Sequence, residues 1–523
     1  MKTRPGKIAS PILVLVTLAA LTVILGILLY TAPPAVFPDP ANGFRVMQSM
    51  EAGGPFNHLV GPDQEDIAKN SSEFLTWWSP GQYLIPYTFK ALGTNTGQAS
   101  ALTITLCQLI GLAGLYAFFK KIGFSPIVSA LSLLFIACQQ FFVVPYVFYN
   151  GGEILFFAFA GWFLYGSTVI KGPGWQLVLF VLFAGWVGFF CKSSMLWIYG
   201  AGILYLWIRL SVQKGSADWL KNAVWIAIPA IISITTIWLF YLSKGESPAS
   251  ATNGLKFTWK TLGFPLASPL LSGFSVDDLS HGLIYHTDTP IFSHSMSIVV
   301  LVLLAILSVW LVCRILKKVQ DANYRMLIKV FYTASILFFS YAYLRQMSIS
   351  YEARHFRIIG LIVIPGAIYL ISKSKTIYRG AFALMWIGIA ITSIVYAAKG
   401  YLYNKNKSAH GMSGIAQQAI DQKSLNQILA LDEQNTNATF VFVNESLGLE
   451  IKHNRVITLQ PISDDLRINF DDYEYDGHAG PLYIILPESY NGPKEKFVLK
   501  AFPNYKGWYG SMLSDNYVMY AAK

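Results

Sequence analysis

Four charged residues stand apart because the apolar runs near them are almost free of charge: Asp39, Glu153, Lys192 and Arg354. Asp39 lies between two prolines in Phe37-Pro38-Asp39-Pro40, a few residues beyond an apolar run. A carboxylate on so stiff a turn is placed to act on a substrate carried by a lipid. The same residue could instead cap a helix, since Asp is favoured at that position. Arg354 belongs to Tyr351-Glu352-Ala353-Arg354-His355-Phe356-Arg357, which crowds basic side chains into a short connection, and Lys192 follows Cys191 at the end of another apolar run. Either cation could do no more than reach a lipid head group. Glu73 opens a segment that runs through Trp77-Trp78-Ser79-Pro80-Gly81-Gln82 to Tyr83. The tryptophans suit anchoring at a membrane interface or stacking on a sugar. His281, His286 and His294 share a stretch with Asp277, Asp278 and Asp288. Their spacing is irregular, with no i, i+4 histidine pair and no Asp-x-Asp, so no metal is expected.

The elements that must position these residues are membrane spans. The chain has 523 residues, 54% hydrophobic and 13% charged, against about 25% charged in a soluble domain. That excludes an ordinary soluble enzyme, a disordered chain and a disulfide scaffold. The formal charge of +11 sits at the ends of apolar runs and not on one solvated face, so nucleic acid is not an expected partner. A span needs about 20 apolar residues. Eleven are expected: 9–30, 99–119, 126–148, 152–170, 174–191, 195–210, 221–243, 295–313, 326–344, 357–372 and 380–398. The first is expected to be a retained signal anchor. Alternate loops carry Lys2/Arg4/Lys7, Lys120-Lys121, Lys171, Arg209/Lys214, Arg314/Lys317/Lys318/Arg325 and Lys373/Lys375/Arg379. These mark the cytoplasmic side of a multi-pass cell-membrane protein. The N-terminus is then inside, and the loops 31–98, 244–294 and 345–356 and the C-terminal segment lie outside. Residues 1–398 form the expected transmembrane domain. Residues 399–523 form an expected small extracytoplasmic α/β domain, with a helix near 412–431 and strands near 439–443, 456–459, 482–486 and 517–520.

A transporter or flippase would place ionisable groups in mid-membrane along its path. The polar residues here gather in the outer loops instead, which favours chemistry at the outer face. A non-catalytic scaffold of envelope assembly is the third alternative. The early loop Asp, the helix that follows it, and Trp78-Ser79-Pro80-Gly81-Gln82-Tyr83 resemble the first loop of GT-C fold glycosyltransferases. Within that fold the chain resembles the bacterial branch of the protein O-mannosyltransferase and lipid A aminoarabinose transferase superfamily. The segment Tyr351–Arg357 before the tenth span resembles a second motif of that family. Two departures are visible: Asp39 is followed by Pro40 where the family often has an adjacent Glu, and His355 stands where an aromatic is commoner.

The resemblance implies a sugar donor on a polyprenyl phosphate and an acceptor that is a glycan, lipid or protein. Transfer of the hexosyl or pentosyl group would invert the anomeric centre. Asp39 would be the general base, and Arg354 would hold the leaving phosphate through its planar fork. Lys192 is the second candidate for the phosphate, with Arg357 and Arg345 in reserve. His355, Glu73, Trp78 and Tyr83 complete the expected substrate-binding set, although Glu73 could be merely solvated. No cofactor is expected, because the lipid-linked sugar is a substrate.

Overall fold

The computed structural model describes residues 10–212, 218–245, 254–284, 290–462, 470 and 473–523. Lys2, Arg4, Lys7, Lys214, His286 and Asp288 lie outside the described residues. Each expected span contains a helix. Nine helices among the described residues are long and apolar enough to cross a membrane. Pro126–Ala137 and Gln140–Tyr146 make a tenth if they count as one span, bent by 69°. Trp175–Cys191 has only 17 residues, short of the ~20 that span the hydrocarbon, so length and composition support nine or ten spans where eleven were expected.

The stretch 244–294, expected to be a loop, holds a further helix, Trp259–Gly273. It packs against three apolar helices, His294–Lys318, Ala322–Leu344 and Arg357–Ser372. Pro265 and Pro269 lie inside it, and prolines free backbone groups that must find partners elsewhere. Near Pro269, hydroxyls of neighbouring helices bond the backbone of this helix. Tyr332 donates to Leu266 O at 2.7 Å, and Ser308 Oγ donates to Ala267 O at 3.2 Å while accepting from Leu270 N–H at 3.3 Å.

The chain forms two compact units: the described parts of 1–24, 105–144 and 152–397, and a second built from 25–104, 145–151 and 398–523. The first is helical throughout its core. The second contains a five-stranded sheet in the order 509–514, 517–522, 482–487, 439–442, 455–458. Its first two pairings are antiparallel and its last two parallel. Ile484 and Leu486 face one apolar cluster with Val498 and Phe502, while Ile485, Phe440 and Phe442 face another with Leu425 and Ile428 of helix Gln422–Gln434. Alternation of this kind is what a strand buried on both faces produces.

Candidate active site

In the helical unit, the basic residues singled out from sequence come together with acidic partners. Lys192 is the C-cap of helix Trp175–Cys191, and its ammonium pairs with the carboxylate of Glu153, the second residue of helix Gly152–Val169. Both side chains are mostly buried. Gly152 permits the approach, since a Cβ there would lie 3.1 Å from Cys191 O and 3.4 Å from Lys192 Cγ. Burial pulls the Lys192 pKa below its ordinary value, Glu153 opposes the shift, and the charges of Arg354 and Arg357 add to the lowering. Lys192 therefore lies within electrostatic reach of both arginines.

The connection carrying those arginines folds back along helix Ala322–Leu344. Phe356 sits 4.4 Å from Phe339, and Tyr351 lies 4.4 Å from Tyr343 and 4.9 Å from Phe264, all between ring centroids. This packing aims the ionisable groups of the segment. Arg354 pairs with Glu352, and at 43% exposure it is the more open of the two side chains. His355 Nε2 is 3.1 Å from Ser350 Oγ. Arg357 donates to Ser272 O at 2.6 Å and stacks 3.9 Å over the Phe141 ring, so its guanidinium is committed to structure. Asp277 faces it: burial raises that carboxyl's pKa and the Arg357 charge lowers it. Arg345 caps helix Ala322–Leu344, its N–H donating to Tyr341 O. The geometry thus separates Arg354, which is partly exposed, from Arg357, which is held.

In the second unit, Asp39 occupies the first turn of helix Pro38–Glu51, where an anion suits the helix dipole. It is not the N-cap: Phe37 is, and it makes no side-chain capping bond. The turn is pinned by a two-residue parallel bridge of Ala35–Val36 with Phe148–Tyr149, by Phe37 N–H donating to Tyr149 O at 3.2 Å, and by stacking of Phe37 on Phe148 at 4.9 Å. Pro40 and Gln82 both crowd Gly151, whose φ of +54° and lack of a Cβ allow the contact. Ser79 Oγ, Gln82 Nε2 and Asn150 Oδ1 are buried without a hydrogen-bond partner among the described residues. Buried polar atoms are normally paired, so such a group beside the Asp39 turn suits a hydroxyl-rich ligand.

The other expected residues of this unit are spread out. Tyr83 is fully buried, with its hydroxyl on Asn57 Oδ1 and its ring over Gly43, and serves packing. Trp78 is half-buried beside the exposed Trp77. Glu73 is exposed on the hairpin His58–Pro62/Asn70–Phe74, opposite Leu59.

Three residues were not singled out from sequence. Arg45, on the same helix as Asp39, is buried and donates to Thr458 Oγ1 and, at 3.1 Å, to Val456 O; burial lowers its pKa to about 10. Gln48 donates to Leu449 O at 2.9 Å. Glu445 lies within electrostatic reach of Asp39. Burial raises its carboxyl pKa, the Asp39 charge raises it further, and Arg45 lowers it. Glu153 and Lys192 could have been paired from sequence, as they end adjacent spans on the same expected side. Glu445 carried no such signal. Among the described residues, no three His, Cys, Asp or Glu side chains gather as a metal would require.

No family model matches the sequence, and no curated protein matches it. Solved structures do. The arabinofuranosyltransferase AftD from Mycobacteria aligns over 97% of this chain with a TM-score of 0.51 at 13% identity. The aligned region is 39% of that protein, so this chain spans about two fifths of its length. ArnT from Cupriavidus metallidurans aligns over 98% of this chain and 97% of its own, at 13% identity and a TM-score of 0.48. The oligosaccharyltransferase of Archaeoglobus fulgidus aligns over 96% and 73%, at 11% identity and a TM-score of 0.47. With its apolar helices and small C-terminal sheet, the chain has the GT-C fold.

Proposed function

We propose that this chain is an inverting glycosyltransferase that moves a hexosyl or pentosyl group from a polyprenyl phosphate to a glycan, lipid or protein acceptor. The observation that carries the reading is the group formed by Lys192, Arg354, His355 and Arg357 with Glu153 and Asp277 at one end of the helical unit. The basic loops support a cytoplasmic N-terminus in a cell-membrane protein and chemistry at its outer face. A lipid tail would deliver its phosphate there.

The proposed step is one displacement. The acceptor hydroxyl gives its proton to the Asp39 carboxylate as its oxygen attacks the anomeric carbon opposite the phosphate. The bond from that carbon to the phosphate oxygen breaks, the electron pair leaves with the phosphate, and the anomeric configuration inverts. A positioned base contributes about 10²–10⁴-fold. The leaving phosphate gains charge in the transition state, so cations that hold it there lower the barrier itself. Arg354 does this by exchanging Glu352 for the phosphate, with Lys192 as the second charge. Because the leaving group departs as a phosphate anion held by cations, the scheme asks for no cofactor.

Arg354→Lys tests this reading. Lysine keeps the charge and would satisfy a residue that only reaches a lipid head group, but it lacks the fork. Turnover from synthetic polyprenyl-phosphate sugars is expected to fall sharply in both Arg354→Lys and Arg354→Ala, with unchanged thermal stability. Near-full transfer by Arg354→Lys would remove Arg354 from the phosphate site.

A further inference from the structure

The far end of the helical unit holds a second basic site. A cavity of about 280 Å³ opens among the ends of Thr96–Lys121, Gly152–Val169 and Met195–Val212 and the start of Ala322–Leu344. Lys121, Lys171, Arg209, Asn323 and Thr168 line it, and among the described residues no carboxylate does. Arg209 is 4% exposed. It donates to Ile170 O, but its Nε finds no partner among the described residues. The nearby carboxylate of Asp321 is engaged in capping helix Ala322–Leu344, accepting from Tyr324 N–H at 2.7 Å. A buried guanidinium with an unmet donor is costly unless an anion completes it.

We propose that this cavity binds the phosphate of an anionic phospholipid in the leaflet on the side of the basic loops. The shared chemistry is a phosphate oxyanion, which takes the Arg209 Nε–H and the two ammonium groups, while Asn323 and Thr168 supply neutral hydrogen bonds. Placement favours a lipid source over a soluble one. Four helix termini converge at the cavity, which sets it at the level where head-group phosphates lie, and Lys121 and Lys171 are exposed at its rim. The site is separate from the residues proposed for sugar transfer and does not depend on that assignment.

The test is native mass spectrometry of the full chain in detergent, titrated with phosphatidylglycerol or phosphatidylcholine. Phosphatidylglycerol is expected to be retained preferentially. The rim variant Lys121→Gln/Lys171→Gln and, separately, Arg209→Gln are each expected to weaken it about tenfold, the loss of a charge-assisted contact. Lys317→Gln/Lys318→Gln, equally basic and outside the cavity, is expected to change nothing. Melting curves show whether Arg209→Gln folds; the rim variant alone decides if it does not. Equal retention of the two lipids, or full retention by the rim variant, overturns the proposal. Displacement of phosphatidylglycerol by millimolar inorganic phosphate would overturn the lipid assignment and give the site to a soluble phosphate.

Discussion

Lys192 and Glu153 show how charge persists at the ends of apolar helices: each shields the other where burial would otherwise expel it. Glu445 illustrates the opposite case, a carboxylate held at a disadvantage. Its pKa in the fold is raised by burial and by Asp39. A raised carboxyl pKa means that the folded state binds the proton more tightly. The stability it contributes is complete below the ordinary value of 4.5 and is lost as pH rises through the higher folded pKa. Glu445→Gln is therefore expected to flatten the dependence of melting temperature on pH just above 4.5 and to leave neutral-pH stability equal or higher. A lower melting temperature for Glu445→Gln at pH 7 would contradict a disfavoured charge.

Helix Trp259–Gly273 is held around Pro269 by its neighbours, and Ser308 alone makes two side-chain bonds to its backbone there. Ser308→Ala is expected to cost about 1 kcal/mol, in the range of hydrogen bonds between membrane helices. A melting temperature unchanged from wild type would show that the hydroxyl is not needed. This helix was not legible in the sequence because it is short and two prolines read as breakers. The long spans were legible because about 20 apolar residues leave few alternatives. In the C-terminal segment, strands 439–442, 455–458, 482–487 and 517–522 fall close to where periodicity put them. The helix expected near 412–431 is Gln422–Gln434, because Gly414, with a φ of +71°, favours the hairpin Ala409–His410/Ala416–Gln417 and Asp421 caps the helix through Ser424 N–H. Strand Tyr509–Ser514 was missed because Gly510, Ser511 and Ser514 leave it little apolar pattern.

On the scale of the whole chain, residues 25–104 fold with 398–523, and their ties are too remote in sequence to be read from local pattern. Arg45 reaches Val456 and Thr458, Arg455 donates to Ile67 O, and Ile67 joins the core of the sheet. The helix bearing Asp39 is thus fixed by the C-terminal segment. The basic loops predict the sidedness of this arrangement. Cysteines placed near Gly54 and Gly480 are expected to label from outside intact cells, and one near Lys318 only after permeabilisation. Labelling near Lys318 in intact cells would remove the chemistry from the outer face. Sugar transfer from a polyprenyl phosphate is read by the release of polyprenyl phosphate. Purified full-length protein would be given a panel of synthetic polyprenyl-phosphate pentoses and hexoses, with envelope glycans, lipids and peptides as acceptors. At least one donor is expected to lose its sugar to an acceptor with inverted configuration, and Asp39→Asn to slow that release at least about a hundredfold. Absence of release from every donor, or an undiminished rate in Asp39→Asn, would contradict the account.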